Sequence, residues 1–424
     1  MLNWKLPYDK KTVILNLKEE NLAGVLEGKQ SHYTTEKSQE TIVEESLNNP
    51  IGSKSLEVLA KDKKDIVIIS SDHTRPVPSK IIMPILLKRI RSVNTQARIR
   101  ILVATGFHRA STPEELVEKY GEDIVNNIEI VMHNAEDTSS LIKVGTLPSG
   151  GNCILNKLVE EADLLIAEGF IEAHFFAGFS GGRKSVLPGI AGVETILYNH
   201  SGSFIADENS RTGNLMHNKV NEDMVYAAKL ANLQFIINVV LNEDKEIIGS
   251  FAGDFEQAHK VGCDFVKSLA KVDKIPCDIA VTTNGGYPLD QNIYQAVKGM
   301  TAAEATLNEG GIIIIVAGCS DGHGGEGFYR NIVDEVSPKA FLDKAKVTKP
   351  QDTAPEQWTS QILARILTKY KVILVSDLID PEIVYNLQMD LAKTIDEAIA
   401  KAFAIKGEKA KVAVIPDGLG VIVQ

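Results

Sequence analysis

Residues 66–104 read IVIISSDHTRPVPSKIIMPILLKRIRSVNTQARIRILVA and contain two apolar runs on either side of a helical pattern. Residues 66–69 are a continuous run of β-branched residues, as is typical of a strand buried in a parallel sheet, and residues 98–104 are predicted to be the next strand. Between them, residues 81–90 place apolar side chains at helical spacing. A strand, a helix and a second strand in this order predict an α/β fold.

The alternation of strands and helices continues on both sides of this stretch and divides into two series. The first adds predicted strands at 12–15, 128–132, 164–167 and 235–241, a partner strand at 246–250, and helices at 154–161 and 255–269. The second has predicted strands at 279–282, 312–317, 372–375 and 411–415, with helices at 294–305, 358–370 and 395–404. Segment 336–356 is predicted to be a loop-bearing insert. We therefore expect two α/β domains, 1–270 and 271–424, with largely parallel sheets flanked by helices.

The composition is that of a globular chain and excludes several classes of partner. The 424 residues are 44% hydrophobic and 24% charged, and the formal net charge is −11. At roughly 150 residues per domain, this length allows two or three domains. The acidic surplus argues against a protein that coats nucleic acid or an anionic membrane, although a local cluster of cations can still bind a small anion.

The cysteines and the N-terminus predict a cytoplasmic location. No C-x-x-C pair is present, so we expect reduced thiols at all four cysteines: Cys153, Cys263, Cys277 and Cys319. Residues 1–5 lack the apolar region of a signal peptide. The longest apolar run, 312–317, is too short to cross a bilayer. We expect a soluble cytoplasmic protein.

Polar loops follow three predicted strands of the first domain, at the ends where parallel sheets bind ligands. The loops carry Asp72, His73, Thr74 and Arg75 after the first strand, His108 and Arg109 after the second, and His174 and Lys184 after the third. One loop histidine is more often a capping or solvent-facing residue, but three at equivalent positions predict acid–base chemistry. We assign no function to the histidines in polar or helical contexts, which are His32, His133, His217 and His259.

Two glycine-rich motifs resemble phosphate-binding loops but depart from the pattern. Residues 178–185 end in Lys-Ser like a P-loop, yet Arg183 stands where the second glycine should precede the lysine. Residues 322–327 match G-x-G-x-x-G without the tight strand-to-helix junction or the acidic residue of a dinucleotide site. The first loop could still bind an anion through its backbone N–H groups. The second reads more simply as a flexible glycine loop.

Lys184 is the single residue whose sequence context most strongly suggests a chemical role. It is flanked by Gly181, Gly182 and Ser185, and a desolvated lysine can bond covalently to a carbonyl-type partner. A phosphate contact is equally consistent with the sequence. No metal signature such as H-E-x-x-H is present, so any metal would need another scaffold to supply its ligands.

Long motifs in both domains resemble those of the nickel-pincer lactate racemases. The first domain has SDHTRP at 71–76, TGFHR at 105–109, EAHFFAGFSGGRK at 172–184 and YNH at 198–200, and the second has YQAVKG at 294–299 and DGHGGEG at 321–327. The resemblance covers essentially the whole chain. It implies an N-terminal cofactor-anchoring and catalytic domain, a C-terminal substrate-holding domain, and an active site in the crevice between domains.

The resemblance also implies a cofactor and a role for individual residues. In that family, pyridinium-3,5-bisthiocarboxylic acid mononucleotide holds nickel(II) through two sulfur atoms and a ring carbon. Lys184 would anchor this group covalently, and His200 would be the protein ligand to nickel, which accepts both sulfur and imidazole. Cofactor binding is implied for Asp72, His73, Thr74 and Arg75, acid–base catalysis for His108 and His174, and substrate binding for Arg75, Tyr294, Gln295, Lys298 and Trp358.

The chemistry of 2-hydroxy acids explains why such a site would need two acid–base histidines. Removal of the Cα proton would leave a poorly stabilised carbanion beside a carboxylate, whereas loss of hydride together with the hydroxyl proton gives a neutral keto group. The resemblance therefore implies interconversion of D- and L-lactate through pyruvate, with one histidine for each enantiomer. The implied partners are lactate and the maturation enzymes that carboxylate the cofactor, insert its sulfur and insert its nickel.

Other functions compete with this one. The same machinery could act on malate or phenyllactate, a nicotinamide-dependent dehydrogenase would use residues 322–327, and a small-anion sensor would close two lobes on its ligand. Because the net charge is −11, an anionic substrate requires local positive charge. We expect that charge from Arg75, Arg109, Arg183, Lys184 and Lys298.

Overall fold

The computed structural model describes residues 1–30 and 33–424, so His32 lies outside the described residues. The strands are β1 Leu2–Tyr8, β2 Lys11–Leu17, β3 Leu22–Val25, β4 Asp65–Ser71, β5 Arg98–Ala104, β6 Glu129–Met132, β7 Leu141–Thr146, β8 Asn152–Asn156, β9 Leu164–Phe170, β10 Ala173–His174, β11 Gly178–Phe179, β12 Leu233–Leu241, β13 Ile247–Gly253, β14 Lys271–Val272, β15 Cys277–Thr283, β16 Leu307–Val316, β17 Lys371–Val375, β18 Asp390–Ala392, β19 Val412–Ile415 and β20 Ile422–Val423. The helices are α1 Gln39–Asn48, α2 Leu56–Ala60, α3 Ser79–Val93, α4 Pro113–Tyr120, α5 Glu122–Asn127, α6 Leu158–Glu161, α7 Val193–Asn199, α8 Gly202–Ile205, α9 Lys219–Leu230, α10 Gln257–Ala270, α11 Ile293–Thr306, α12 Glu326–Val333, α13 Pro338–Val347, α14 Gln357–Leu367, α15 Pro381–Asn386 and α16 Ile395–Lys406. No helix among the described residues is long and apolar enough to cross a membrane.

The chain forms two compact units, each assembled from separate stretches of sequence. Unit I comprises Gln30–Asn199 and Asn209–Ser268, and unit II comprises Met1–Lys29, His200–Glu208 and Leu269–Gln424. Each unit has its own sheet and its own apolar core.

Unit I is built around a six-stranded sheet in the order β13-β12-β9-β4-β5-β6. All neighbouring strands in it are parallel except β12 and β13. Ile66 and Ile68 of β4 belong to the core to which α1 and α3 contribute Val43, Leu47 and Leu86. Because β9, β4 and β5 are parallel neighbours, their carboxyl ends lie side by side at one edge of the sheet.

A capping box fixes the far end of the loop that follows β5. Thr112 accepts a hydrogen bond from the Glu115 backbone N–H, and the Glu115 carboxylate accepts one from the Thr112 N–H, with Pro113 at the first helical position. The Thr112 and Glu115 side chains accept hydrogen bonds from backbone N–H groups that have no helical partner at the start of α4, and Pro113 has no N–H to be satisfied.

Unit II contains a second six-stranded sheet, in the order β18-β17-β16-β15-β19-β3, and all of its strands are parallel. Ile279 and Val281 of β15 belong to a core that also includes apolar residues of α16, β1 and β2. On the opposite face of β15, the Thr282 hydroxyl lies 3.4 Å from the Gly299 carbonyl of α11. Both faces of this sheet are therefore covered, as parallel sheets require.

The predicted fold class is confirmed, because both units are α/β with mostly parallel sheets flanked by helices. The predicted strand pair at 235–241 and 246–250 is the antiparallel pair β12–β13, and all four cysteines are buried and in no disulfide. Two expectations are wrong. Residues 152–156 form β8, paired with β7, and only residues 158–161 of the predicted helix are helical; the predicted insert at 336–356 contains the ten-residue helix α13.

The predicted division into domains 1–270 and 271–424 stays a prediction. The structure places residues 1–29 and 200–208 in the same compact unit as the C-terminal residues. β3 completes the sheet of that unit beside β19. The placement of the active site in a crevice between domains likewise stays a prediction.

Candidate active site

Loops from adjacent strand ends meet at the carboxyl edge of the sheet in unit I. The turn Gly182–Ser185, which carries Lys184, packs on β4 and β9. Gly106, in the loop after β5, donates a backbone hydrogen bond to the Gly189 carbonyl at 3.0 Å, and Gly189 donates one to the Lys184 carbonyl at 3.2 Å. The loop that carries His108 is thus joined to the segment that carries Lys184.

Asp72 and His108 form a tightly bonded pair at this edge. Asp72 is 1% exposed, and its Oδ2 lies 2.7 Å from His108 Nδ1. Its Oδ1 accepts hydrogen bonds from the Thr74 N–H and hydroxyl at 3.0 and 2.6 Å. An ionised carboxylate can only accept hydrogen bonds, so Nδ1 must carry a proton. In the neutral ring, Nε2 then holds the lone pair that a general base needs.

The charge of Asp72 follows from competing effects. Burial opposes ionisation, but the hydrogen bond and charge of His108, the Thr74 hydroxyl and the charge of Arg75 lower the pKa of Asp72 from 3.8 to about 2. The carboxylate is therefore ionised at neutral pH, where it can stabilise an imidazolium on His108.

His73 and Arg75, which follow Asp72 in the same loop, have different surroundings. His73 Nδ1 lies 3.0 Å from Ser111 Oγ and 3.6 Å from the Glu115 carboxylate, so its ring contacts the loop before α4. The side chain of Arg75 is exposed, and its Nη1 lies 3.2 Å from the Thr74 hydroxyl. Arg75 therefore has the exposed cation that an anionic ligand requires.

His174 and Lys184 are in direct contact. The antiparallel pair β10–β11 forms a short hairpin, within which the Ala177 N–H donates to His174 Nδ1 at 3.3 Å. Lys184 Nζ lies 3.2 Å from His174 Nε2. The rings of Phe175 and Phe176 pack on His174 with centroid distances of 5.0 and 4.5 Å. The predicted cofactor anchor and one predicted acid–base residue thus lie together.

Arg183 is buried inside unit I, and the prediction that it adds positive charge to a ligand site is wrong. Its side chain is 1% exposed and donates hydrogen bonds to the Ala177 and Phe179 carbonyls and to Asn221 Oδ1, each at 2.8 Å. Burial lowers the pKa of Arg183 to about 10, so the guanidinium is still charged at neutral pH. Its contacts fix the hairpin loop that precedes Lys184.

The charge of Arg109 is also paired within the protein. Its guanidinium donates two hydrogen bonds to the Glu115 carboxylate, at 2.8 and 2.6 Å. The same carboxylate closes the capping box of α4. Glu115 thus neutralises Arg109, whose predicted contribution to local positive charge is correspondingly reduced.

Glu168, one residue beyond the predicted strand at 164–167, lies within β9. It is 1% exposed, and its Oε1 accepts hydrogen bonds from Ser70 and Ser79 at 2.5 and 2.6 Å. Burial raises the pKa of Glu168 against the opposing effect of a nearby lysine and the two hydroxyls. The hydroxyl of Tyr120 donates to Ser70 Oγ at 2.8 Å, which extends the network. The sequence signal was a single charged residue within an otherwise apolar strand.

Unit II holds three of the predicted site residues in one aromatic cluster. His200 is 4% exposed, and its ring centroid lies 5.0 Å from that of Trp358 at an interplanar angle of 63°. Trp358 Nε1 donates to the Tyr294 hydroxyl at 3.0 Å. Tyr294 in turn packs edge-on against Phe328. The contact with Trp358 restricts the orientation of the His200 ring.

Helix α11 brings the two remaining predicted substrate residues together. Lys298 Nζ donates to Gln295 Oε1 at 2.6 Å, because residues three apart lie on the same side of a helix. The helix is capped by Asn292, whose Oδ1 accepts a hydrogen bond from the Gln295 N–H at 3.0 Å.

The glycine loop at 322–327 supports the start of α11. Its carbonyls at residues 322 and 323 accept hydrogen bonds from the first two N–H groups of α11, both at 3.1 Å. A Cβ on Gly324 would lie 2.2 Å from Asn292 Cγ, so glycine permits this close approach. Residues 317–325 separate β16 from α12, and the loop therefore lacks the tight junction of a dinucleotide site.

Across residues 1–30 and 33–424, no group of three or more His, Cys, Asp or Glu side chains is arranged to hold a metal ion. A metal bound at His200 would therefore take most of its ligands from outside this set of side chains.

Comparison with known proteins relates both parts of the chain to one family. The family model described as Lactate racemase N-terminal domain matches residues 8–213, and the one described as Lactate racemase C-terminal domain matches residues 272–423. A protein named lactate racemase from Lactiplantibacillus plantarum is 67% identical over 419 residues, which cover 99% of each chain. Another of that name from Thermoanaerobacterium thermosaccharolyticum is 52% identical over 424 residues and 100% of each chain.

Solved structures show the same relation. The lactate racemase apoprotein from Thermoanaerobacterium thermosaccharolyticum matches with a TM-score of 0.97 and 51% identity over 100% of both chains. A protein from Thermotoga maritima matches with a TM-score of 0.67 and 20% identity, over 91% of this chain and 98% of that one, and shows likeness of fold alone. The two domain matches and the full-length identities establish that this chain belongs to the lactate racemases, a family of isomerases.

Proposed function

We propose that this protein interconverts D- and L-lactate with a nickel-pincer nucleotide bound covalently to Lys184. The arrangement at the sheet edge of unit I carries the proposal. There, His108 is bonded to the ionised Asp72, and His174 contacts Lys184. Two candidate bases and one amine thus come from neighbouring strand-end loops. The names of the two full-length relatives support lactate as the substrate.

The residues proposed to hold the cofactor fit its chemistry. Lys184 is half-buried and has a primary amine, which can bond to a carbon at the carboxyl oxidation level. His200 offers a buried imidazole, a ligand that nickel accepts together with sulfur. Arg75 offers an exposed cation for a phosphate group. When bound, the cofactor would accept hydride from the substrate and return it.

The two histidines would move the hydroxyl proton of the substrate. One takes this proton from one enantiomer as hydride leaves Cα, which gives pyruvate, and the other serves the opposite enantiomer. The Asp72 carboxylate accepts the hydrogen bond from His108 Nδ1 and so leaves Nε2 to take the hydroxyl proton. His174 contacts the proposed anchor, so its position is tied to that of Lys184.

Residues of unit II would hold the substrate. Lys298 and Gln295 can bind a carboxylate through a cation and an amide N–H while the planar keto acid turns its other face. Trp358 and Tyr294 would restrict the size of the substrate and keep the His200 ring in place. The proposed partners are the enzymes that carboxylate the cofactor, add its sulfur and insert its nickel.

An isotope experiment tests the reaction. Protein matured with the partner enzymes should racemise D-lactate, and lactate deuterated at Cα should react more slowly with a primary kinetic isotope effect. The deuterium should remain at Cα in ordinary water, because a transferred hydride does not exchange with solvent. Solvent hydrogen at Cα of the product would contradict hydride transfer. Faster turnover of malate or phenyllactate than of lactate would contradict the proposed substrate.

A mass measurement tests the anchor separately. The matured protein should be heavier than its sequence mass, and Lys184→Ala should abolish the increase because the nucleophilic amine is gone. Lys346→Ala, at an exposed position of α13, serves as the control and should keep the full increase. Retention of the adduct in Lys184→Ala would show that another residue is the anchor.

A further inference from the structure

Glu356, directly before α14, has a backbone conformation that disfavours glutamate. Its φ is 62° and its ψ is 0°, which is the left-handed region. Glycine, asparagine and aspartate adopt this region most readily, and other residues do so at a cost in free energy. Such strain persists only where the surrounding structure stabilises it. The contacts of the Glu356 carboxylate account for a glutamate at this position.

The carboxylate reaches the helix that follows the glycine loop at 322–327. Its Oε2 accepts a hydrogen bond from the Phe328 backbone N–H at 2.8 Å. Phe328 is the third residue of α12, so this N–H has no partner within the helix. The N-terminus of a helix also favours a negative charge. Glu356 thus caps α12 from a position 28 residues further along the chain.

Two glycines of the loop are explained by the same carboxylate. A Cβ on Gly325 would lie 2.5 Å from Glu356 Oε1, and a Cβ on Gly327 would lie 2.9 Å from Oε2. Gly325 has φ 177°, an extended conformation that any residue adopts. Gly327 lies inside α12, where alanine is the better helix former. The backbone therefore requires glycine at neither position, whereas the space that the carboxylate takes does require it.

A closed set of contacts leads from Glu356 to Trp358 and back. The Phe328 ring packs edge-on against Tyr294 with centroids 5.5 Å apart, and the Tyr294 hydroxyl accepts the hydrogen bond of Trp358 Nε1. Trp358 is the second residue of α14, two positions after Glu356, and its ring contacts His200. Loss of the Glu356 contact should therefore loosen Trp358 through the start of its own helix and through Tyr294.

We propose that Glu356 is a positioning residue. Its carboxylate holds the glycine loop and α12 against the start of α14, and so keeps the Trp358 indole bonded to Tyr294. A consequence for substrate size rests on the proposed function, in which Trp358 and Tyr294 restrict the substrate. A looser Trp358 would admit bulkier 2-hydroxy acids such as phenyllactate.

The indole N–H of Trp358 gives a readout in the apoprotein, produced without the maturation enzymes. The chain has two tryptophans, so ¹⁵N NMR shows two indole signals, and Trp4→Phe assigns them. In Glu356→Gly, the Trp358 signal should shift toward that of a free indole and exchange faster with solvent, although glycine relieves the backbone strain. Gln388→Gly is the matched control, because Gln388 is exposed and has φ 60°; it should leave the Trp358 signal unchanged.

Gly325→Ala tests the same contact with Glu356 in place, and it covers the case in which Glu356→Gly does not fold. The added Cβ would displace the flexible carboxylate, so this variant should reproduce the shift of the Trp358 signal. The double variant should shift the signal little further, because changes that act through one contact are not additive. Glu356→Gln keeps an oxygen acceptor and should restore most of the wild-type signal. An unchanged Trp358 signal in Glu356→Gly or Gly325→Ala, or fully additive shifts, would overturn the inference.

Kinetics of the matured protein test the consequence for substrate size. Glu356→Gly should lower the preference for lactate over phenyllactate in kcat/KM by about tenfold, the lower end of what the size of a pocket contributes. Gln388→Gly should keep the preference of the wild type. A shifted Trp358 signal with unchanged preference would overturn the role in substrate size. A wild-type protein that does not racemise lactate would instead overturn the proposed function, and the NMR result would still decide whether Glu356 positions Trp358.

Discussion

Asp72 shows how one residue takes a role that its sequence position did not reveal. The sequence grouped it with His73, Thr74 and Arg75 as a cofactor-binding residue, which stays a prediction. The structure directs both carboxylate oxygens to the protein itself, toward His108 and Thr74. We infer that Asp72 positions His108, because an acceptor at Nδ1 fixes the tautomer that leaves Nε2 basic.

Asp72→Asn should lower kcat/KM for lactate by a factor on the order of a hundred, the scale of general acid–base catalysis. An amide can turn its NH₂ group toward Nδ1 and favour the wrong tautomer. Asp137→Asn is the control, since Asp137 is a half-buried carboxylate that caps a turn in the same unit and, among the described residues, makes no hydrogen bond to a histidine. Equal activity of Asp72→Asn and the control in a racemisation assay would contradict the positioning role.

The pH dependence of Asp72 has a definite sign. Its pKa is lower in the folded protein than the ordinary 3.8, so the ionised form stabilises the fold. This contribution is fully present above about pH 4 and is lost as the pH falls through about 2. The titration of Asp72 therefore causes no change in activity near neutral pH. A variant that lacks this carboxylate should be less stable than the wild type above about pH 4, and the difference should disappear as the pH falls through about 2.

Whether the Arg183 side chain faces a ligand or the protein interior could not be predicted from the sequence. The sequence showed a cation in a glycine-rich loop beside Lys184, and that pattern is the same whether the cation faces a ligand or the protein. Burial decides between the two, and burial depends on which carbonyls the hairpin loop brings near. Only the folded loop shows that the Ala177 and Phe179 carbonyls receive the guanidinium.

At the scale of elements, α11 links a loop motif to substrate binding. Asn292 caps the helix through the Gln295 N–H and donates to Asp321 Oδ2 at 3.3 Å. Gly324 lies against the same side chain. The position of Gln295 and Lys298 therefore depends on this cap.

Asn292→Ala should remove the cap and reduce stability by about 1 kcal/mol. The KM for lactate should rise more than kcat falls, because the first turns of α11 hold the proposed substrate ligands in the bound ground state. Steady-state kinetics and urea unfolding measure the two effects. Thr394→Ala removes the N-cap of α16 and should cost similar stability at unchanged KM. An unchanged KM in Asn292→Ala would contradict the link.

Elements were predicted best where local signals agree with packing. The predicted strand at 98–104 has the same bounds as β5, and four of its five buried residues are apolar, the fifth being Arg100. The missed helix α13 had a start signal, since Ser337 and Pro338 occupy its N-cap and first position. Residues 152–156 could not be assigned from their own pattern, because pairing with β7 decides that they form a strand.

At the scale of the whole molecule, the first 29 residues belong to a core built mainly from the C-terminal part of the chain. Leu6, Leu15 and Leu17 are almost fully buried in that core. β3 forms the edge of the same sheet. A segment that begins the sequence thus helps to complete a sheet whose other strands begin at Cys277.

Leu15→Ala should destabilise unit II by about 2–5 kcal/mol, the usual cost of truncating a buried leucine. Hydrogen exchange should show the loss of protection in β19 and α16. Ile14→Ala is the matched control, since the neighbouring Ile14 is 44% exposed, and it should change stability by less than about 1 kcal/mol. Unchanged protection of β19 in Leu15→Ala would contradict this role of the N-terminal segment.

The sequence by itself determined the α/β class, the family and the strand-end loops that carry His108, His174 and Lys184. These features rest on local periodicity and on motifs that need no partner to be recognised. The tertiary structure alone decided that Asp72 orients His108, that Arg183 donates its hydrogen bonds to backbone carbonyls, and that the first 29 residues join a C-terminal sheet. Each of these depends on contacts between residues distant in sequence or on burial, and neither is encoded in the pattern of a single segment.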